Sequence, residues 1–343
     1  MLRSPRSFVL AGAAVLLAFS PAGDSVEFHP ADGSDLEKKF TLEGDFQLGD
    51  FSMIVDGQDM SGQIPVGEVS GDFDVALSVV DHYLKTEGGK PLHLERDYSS
   101  STASFSAMEN SDSKENLFDV DGETVVFKWD AENGEYVRSY KDGEGDEEKL
   151  ADLGIDLDYR ALLPGKSVAA GDKWEVAPKA LVTALFFGAE MKDLAELSAD
   201  DAEFAALADE ILPEIEKLFD SFKAQCEYVG PRDESGKQVG EVKVSVNSDG
   251  TADLTEAILA AVQAQTEGSG AEFDIQTANF TIKMRGEGKL MWDLAGGHAE
   301  SFEMDSEVEL LVEIAASVSD PNGGDHTVEA NVEFAAHMKW SME

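Results

Sequence analysis

Cysteine is almost missing. Cys226 is the one thiol in 343 residues, so no internal disulfide can form and stability has to come from core burial. Cys226 and Tyr228 alternate with Glu227, which predicts a buried, inert thiol. Basic residues are scarce as well. Lys and Arg number 26 against 70 Asp and Glu, for a net charge of −44. A surface of that sign repels nucleic acid and anionic lipid headgroups. It is expected to attract divalent cations weakly, without marking a dedicated site.

Histidine is sparse. His29, His82, His93, His298, His326 and His337 never fall within four residues of one another, and zinc motifs need that spacing or cysteines. His82 and His93 are placed to face each other across a hairpin. No G-x-S-x-G elbow and no Walker lysine loop occurs. Gly286-Glu287-Gly288 lies between strand patterns, so it is no dinucleotide fingerprint. Carboxylates are too many for a glycosidase-like pair to stand out. Asp119-Val120-Asp121-Gly122 and Asp142-Gly143-Glu144-Gly145-Asp146 both break the EF-hand pattern. The sequence therefore nominates no catalytic residue, no metal ligand and no cofactor, and it leaves ligand-binding residues unassigned.

Long apolar runs are missing outside the first 22 residues. There Arg3 and Arg6 precede the 12-residue run Phe8–Phe19, and Ser20-Pro21-Ala22 supplies small residues for cleavage. This reads as a secretory signal peptide, too short to anchor in a bilayer. No cysteine follows it to carry lipid. No later run reaches 18 apolar residues, so the expectation is a soluble exported chain without a transmembrane segment, periplasmic or extracellular.

What is abundant is strand periodicity. Residues 23–35 read as a polar leader to an N-terminal β-rich half, 23–178. Phe40, Leu42, Phe46, Leu48, Phe51, Met53 and Val55 alternate with polar neighbours and turn residues. Ser99–Ser113 is Ser-rich and reads as mobile. Val125, Phe127 and Trp129, then Asn133-Gly134, then Tyr136, Arg138 and Tyr140 make a hairpin. The stretch from Leu162 to Val176 holds turn residues (Pro164-Gly165, Gly171-Asp172) feeding a strand at Trp174 and Val176. From Lys179 the period changes to a helical insertion, 179–225. It consists of a short helix with Leu181, Leu185 and Phe186, then a long amphipathic one from Phe204 to Phe222, interrupted by Pro213. Strands return in a C-terminal β-rich half, 226–343. Thr251–Gln265 fits either helix or strand. Val328 to Trp340 alternates over seven apolar positions, a long strand with one apolar face.

Trp129-Asp130-x-x-x-Gly134 is echoed by Trp292-Asp293-x-x-x-Gly297, as if two β-halves were related. Leu163-Pro164, Val168 and Gly171-Asp172-Lys173-Trp174, with the later Gly286-x-Gly288-x-x-x-Trp292-Asp293 and Gly297, resemble a recurring pattern in exported bacterial β-rich proteins of unknown function. The resemblance covers about 140 positions and implies export and a β-rich fold. It implies no activity. The expected fold is α+β: an antiparallel curved sheet or half-barrel with a helical insertion, its two β-halves either related or alike only in reusing the same turn chemistry. The expected function is non-catalytic binding of an apolar ligand or peptide between the sheet and a covering helix. The alternative is a structural or assembly protein of the cell envelope. An apolar small molecule or an envelope protein is then the expected partner.

Overall fold

The computed structural model describes residues 23–63, 69–107, 110–151, 153–187, 211, 213–214, 217–266, 272–319 and 324–343. Its first half holds β1 (Ser34–Val55), β2 (Gln58–Asp59), β3 (Ser70–Glu87), β4 (Lys90–Ala107), β5 (Asn110–Glu115), β6 (Thr124–Asp130) and β7 (Glu135–Tyr140). The second holds β8 (Lys173–Val176), β9 (Ala224–Glu234), β10 (Lys237–Asp253), β11 (Glu272–Asp293), β12 (His298–Ser319) and β13 (Asp325–Met342). Among the described residues the helices are short: α1 (Pro178–Leu185) and α2 (Thr255–Thr266), with further helical residues at 211, 213–214 and 217–219.

All thirteen strands join one antiparallel sheet in the order β7-β6-β4-β3-β1-β13-β12-β11-β10-β9-β8, with β2 on β1 and β5 on β4. The expected α+β class is therefore corrected. The structure is mostly antiparallel β, and the sheet is not closed. Among the described residues the helices cover parts of the sheet and form no layer of their own. The Ser-rich stretch expected to be mobile is strand: Tyr98 to Ala107 pairs with β3. The helix expected over Phe204–Phe222 lies largely outside the described residues. At its end Leu218 and Phe222 are buried in the core.

The order has a simple logic. From β8 to β13 and then from β1 to β7, neighbours in the sheet are neighbours in the chain. The sheet is one continuous meander whose first and last strands meet at its centre, at the β1–β13 seam. The link from β7 to β8 must therefore pass from one edge of the sheet to the other. It does so across the buried face, which is why residues 150–168 hold Leu150, Leu153, Leu157, Tyr159, Leu162 and Val168, all buried.

Alternation along the long strands gives the sheet two unlike faces. Phe40, Met342, Phe302, Leu290, Val242 and Tyr228 lie in register across six strands, and Leu42, Trp340, Met304 and Val244 form the next row. The other face is acidic, with Glu303, Asp305, Glu307 and Glu309 alternating along β12, all exposed. The link, α1 and the N-terminal strap cover the apolar face. The strap, expected as a polar leader, buries Val26 and Phe28. Asp24 and Val168 exchange two backbone hydrogen bonds at 2.8 and 3.0 Å, which ties the strap to the link.

Candidate functional site

The covered part of the apolar face is closed by a buried polar cluster. Lys38 Nζ donates to Asp81 (2.7 Å), to Tyr83 Oη (2.8 Å) and to Asp158 (2.6 Å). Arg96 forks onto Asp81 and donates to the carbonyls of Gly154 and Ile155. Burial alone would raise the Asp81 pKa, but Arg96 and Lys38 outweigh it and hold the carboxyl well below the usual range. Burial, with Asp158 and Asp81 close by, pushes the Tyr83 phenol well up. Two cations and two carboxylates balance, and every group has partners. The cluster anchors the link to the sheet and leaves no hand free for a ligand.

Beyond this cluster the apolar face continues. Phe46, Ala336, Val308 and Met284 form one row, and Leu48, Phe334, Leu310 and Ile282 the next. Past a bulge in β1 come Phe51, Val332, Val312 and Phe280, then Met53, Ala330, Ile314 and Ala278. Most of these side chains are only half-buried. Helix α2 covers one corner with Ile258 and Leu259. From Phe46 to Val55 the face runs roughly 30 Å at about 3.3 Å per residue.

Where the covered and half-buried parts meet, three buried polar atoms lack partners among the described residues: Tyr159 Oη, Trp340 Nε1 and Ser306 Oγ. Register places Trp340 and Ser306 near each other, and ring stacking brings Tyr159 to the same strand. Trp340 is opposite Met304, and Ser306 is two residues along the same strand. Tyr159 stacks on Phe302 with ring centroids 4.3 Å apart. Its backbone is left-handed, at φ 53°, a conformation that non-glycine residues adopt at a cost. Periodicity in β12 and β13 exposes the apolar rows to a reader of the sequence. The pairing of Tyr159 with that face is invisible there, because it depends on the link crossing the sheet.

The histidines do not meet across their hairpin. His82 stands opposite Glu95, and His93 opposite Lys85. His82 instead bridges Asp35 (2.7 Å) and Asp97 (2.9 Å) on the acidic face. The first of the broken calcium loops serves the fold: the Asp121 carboxylate accepts from the amide and hydroxyl of Ser101. The two Trp-Asp motifs share one turn. Gly134 and Gly297 have φ 74° and 68°, and each donates its amide to the Asp carbonyl four residues back at 2.8 Å. Both aspartates cap the intervening amides with Oδ1.

No protein-family model matches the chain, and no curated protein matches it. Among solved structures it is similar to the outer membrane protein OprG from Pseudomonas aeruginosa, at 6% identity over 92% of this chain and 99% of that one, with a TM-score of 0.19. It is also similar to OprB from Pseudomonas putida, at 7% identity over 91% and 94%, with a TM-score of 0.21. At such TM-scores nothing of their architecture or activity carries over to this chain.

The expectation of a soluble chain with no membrane-embedded part is corrected on its own ground. It rested on the lack of an 18-residue apolar run, which tests helices alone. No helix among the described residues is long and apolar enough to cross a membrane. Strands of about 9–11 residues suffice to cross one, and β1, β11 and β12 have 22 each.

Proposed function

We propose that this chain is an exported, non-catalytic protein of the cell envelope that holds an amphiphile on the half-buried part of its apolar sheet face. The acyl portion lies along the rows from Phe46 to Val55 and from Ile282 to Phe280. The polar end meets Tyr159, Trp340 and Ser306. Export is supported by the leader pattern of the first 22 residues. The observation that carries the reading is the continuation of the apolar rows past the packed core, with unpartnered donors at their inner end. Buried polar groups without partners are costly, and a ligand headgroup that accepts hydrogen bonds relieves that cost. The face is about twice as long as one leaflet's hydrocarbon depth of roughly 15 Å, so an acyl chain fits with room to spare.

The test is native mass spectrometry of the protein purified from its own envelope fraction, followed by organic extraction. A retained mass that is released on unfolding and fragments as an acyl lipid supports the reading. A bare monomer mass overturns it and favours an envelope protein acting through protein contacts.

A further inference from the structure

The hairpin joining β11 to β12 brings together three groups that lie apart from the amphiphile face. Asp293 stands opposite His298 in register. Glu300 follows two residues after His298. A bulge at this point sets Met291 against Ser301 and Trp292 against Ala299, so Glu300 has no opposite residue. Bulges re-aim side chains in this way. One ligand atom from each of Asp293, His298 and Glu300 lies within 4.8 Å of the others.

Each donor is held in place. Asp293 Oδ1 accepts from the amides of Ala295 (2.9 Å) and Gly296 (2.7 Å), leaving Oδ2 outward. His298 Nδ1 donates to the carbonyl of Ala299 at 3.0 Å. That bond fixes the tautomer with a lone pair on Nε2, the arrangement found in metal-bound histidines. Nε2 and Asp293 Oδ2 are 3.8 Å apart, too far for a hydrogen bond and suited to two ligands of one small ion. Gly296 keeps the space between them clear. A methyl group there would sit 2.7 Å from Nε2 and 2.8 Å from Oδ2.

We infer that Asp293, His298 and Glu300 form a binding site for a zinc-class divalent transition metal, with a fourth position open. One imidazole and two carboxylates suit zinc, which takes N and O donors at about 2.0–2.2 Å in tetrahedral sites. Calcium needs six to eight oxygens, more than this corner supplies. Lys237 Nζ contacts both Glu300 oxygens, at 2.8 and 3.0 Å. It is half exposed and swings out when the ion takes its place.

The probe is Zn²⁺ alone, titrated against a chromophoric chelator with millimolar Ca²⁺ present to saturate diffuse binding by the acidic face. The wild-type chain should bind one tight equivalent. His298→Ala and Asp293→Asn should each weaken it at least about tenfold. Gly296→Ala retains every donor and should also weaken it, because it fills the ion's space. Lys237→Ala should tighten binding, since the competing cation is gone; a merely structural cluster would show no such gain. Circular dichroism and thermal melts confirm that each variant folds. Wild-type affinity in folded His298→Ala, or no tight equivalent in the wild type, overturns the assignment.

Discussion

Lys38 Nζ and Asp158 Oδ1 meet at 2.6 Å with both side chains almost fully buried, although 120 residues separate them in the chain. This contact fastens the edge-to-edge link onto the sheet that it covers. Lys38→Met removes the charge that Asp158 and Asp81 share. Breaking a buried pair from one side costs about 3–5 kcal/mol. Urea denaturation should show a loss of that order, and a loss below about 1 kcal/mol would contradict the anchoring role.

His82 makes the fold sensitive to pH near neutrality. Hydrogen bonds to Asp97 and then Asp35 raise its pKa above the ordinary 6.5, with burial opposing them. A raised histidine stabilises the folded state fully below its unfolded pKa and loses that contribution as pH rises through the folded value. Stability should therefore decline as pH climbs from about 6.5 through the raised value. In His82→Gln that slope should vanish, with a larger deficit at pH 5.5 than at pH 8.5, as read from melting temperatures.

Cys226 should be silent in the native protein. It is 0% exposed, and burial pushes its thiol pKa up to about 12. The thiolate is the reactive form. Ellman's reagent should find no thiol in buffer and one per chain in denaturant. A rapid native reaction would show that the β8–β9 corner opens.

The half-buried apolar rows can be separated from the packed core by substitution. Leu310→Asp and Phe334→Asp place a charge on the proposed amphiphile face. Each should reduce binding of a fluorescent fatty acid at least about tenfold. Burying a charge among apolar groups costs several kcal/mol. Glu309→Gln, one residue away on the acidic face, should leave binding unchanged. Equal binding by all three variants would remove the amphiphile from this face.

Much of the sheet is legible in the sequence because period-two alternation is local. The hairpin from Val125 to Tyr140, the strand at Trp174 and the apolar face of the last strand all follow from neighbours in the chain. The shared turn of Asp130 and Asp293 is legible for the same reason. What the sequence hides is long-range. Nothing local shows that Leu153, Asp158 and Tyr159 lie on a segment crossing the sheet, and so the charged cluster and the unpartnered Tyr159 hydroxyl go unseen. The Asp293, His298 and Glu300 cluster escapes a motif search because its spacing depends on a bulge and a hairpin register. The α+β expectation failed because one antiparallel sheet dominates the described residues; of the apolar residues at helical spacing near 204–222, the described Leu218 and Phe222 pack into the core.

The seam between β1 and β13 also governs how the chain can be made. Phe40 waits for Met342 and Val55 for Val328, so the earliest long strand emerges from the ribosome without its central neighbour. Until the final 18-residue strand arrives, β1 and β12 each present a long unpaired edge, the kind that recruits other chains. Premature termination near the end would therefore split the sheet down its middle. A cell making this protein gains from keeping it unfolded until β13 has been delivered.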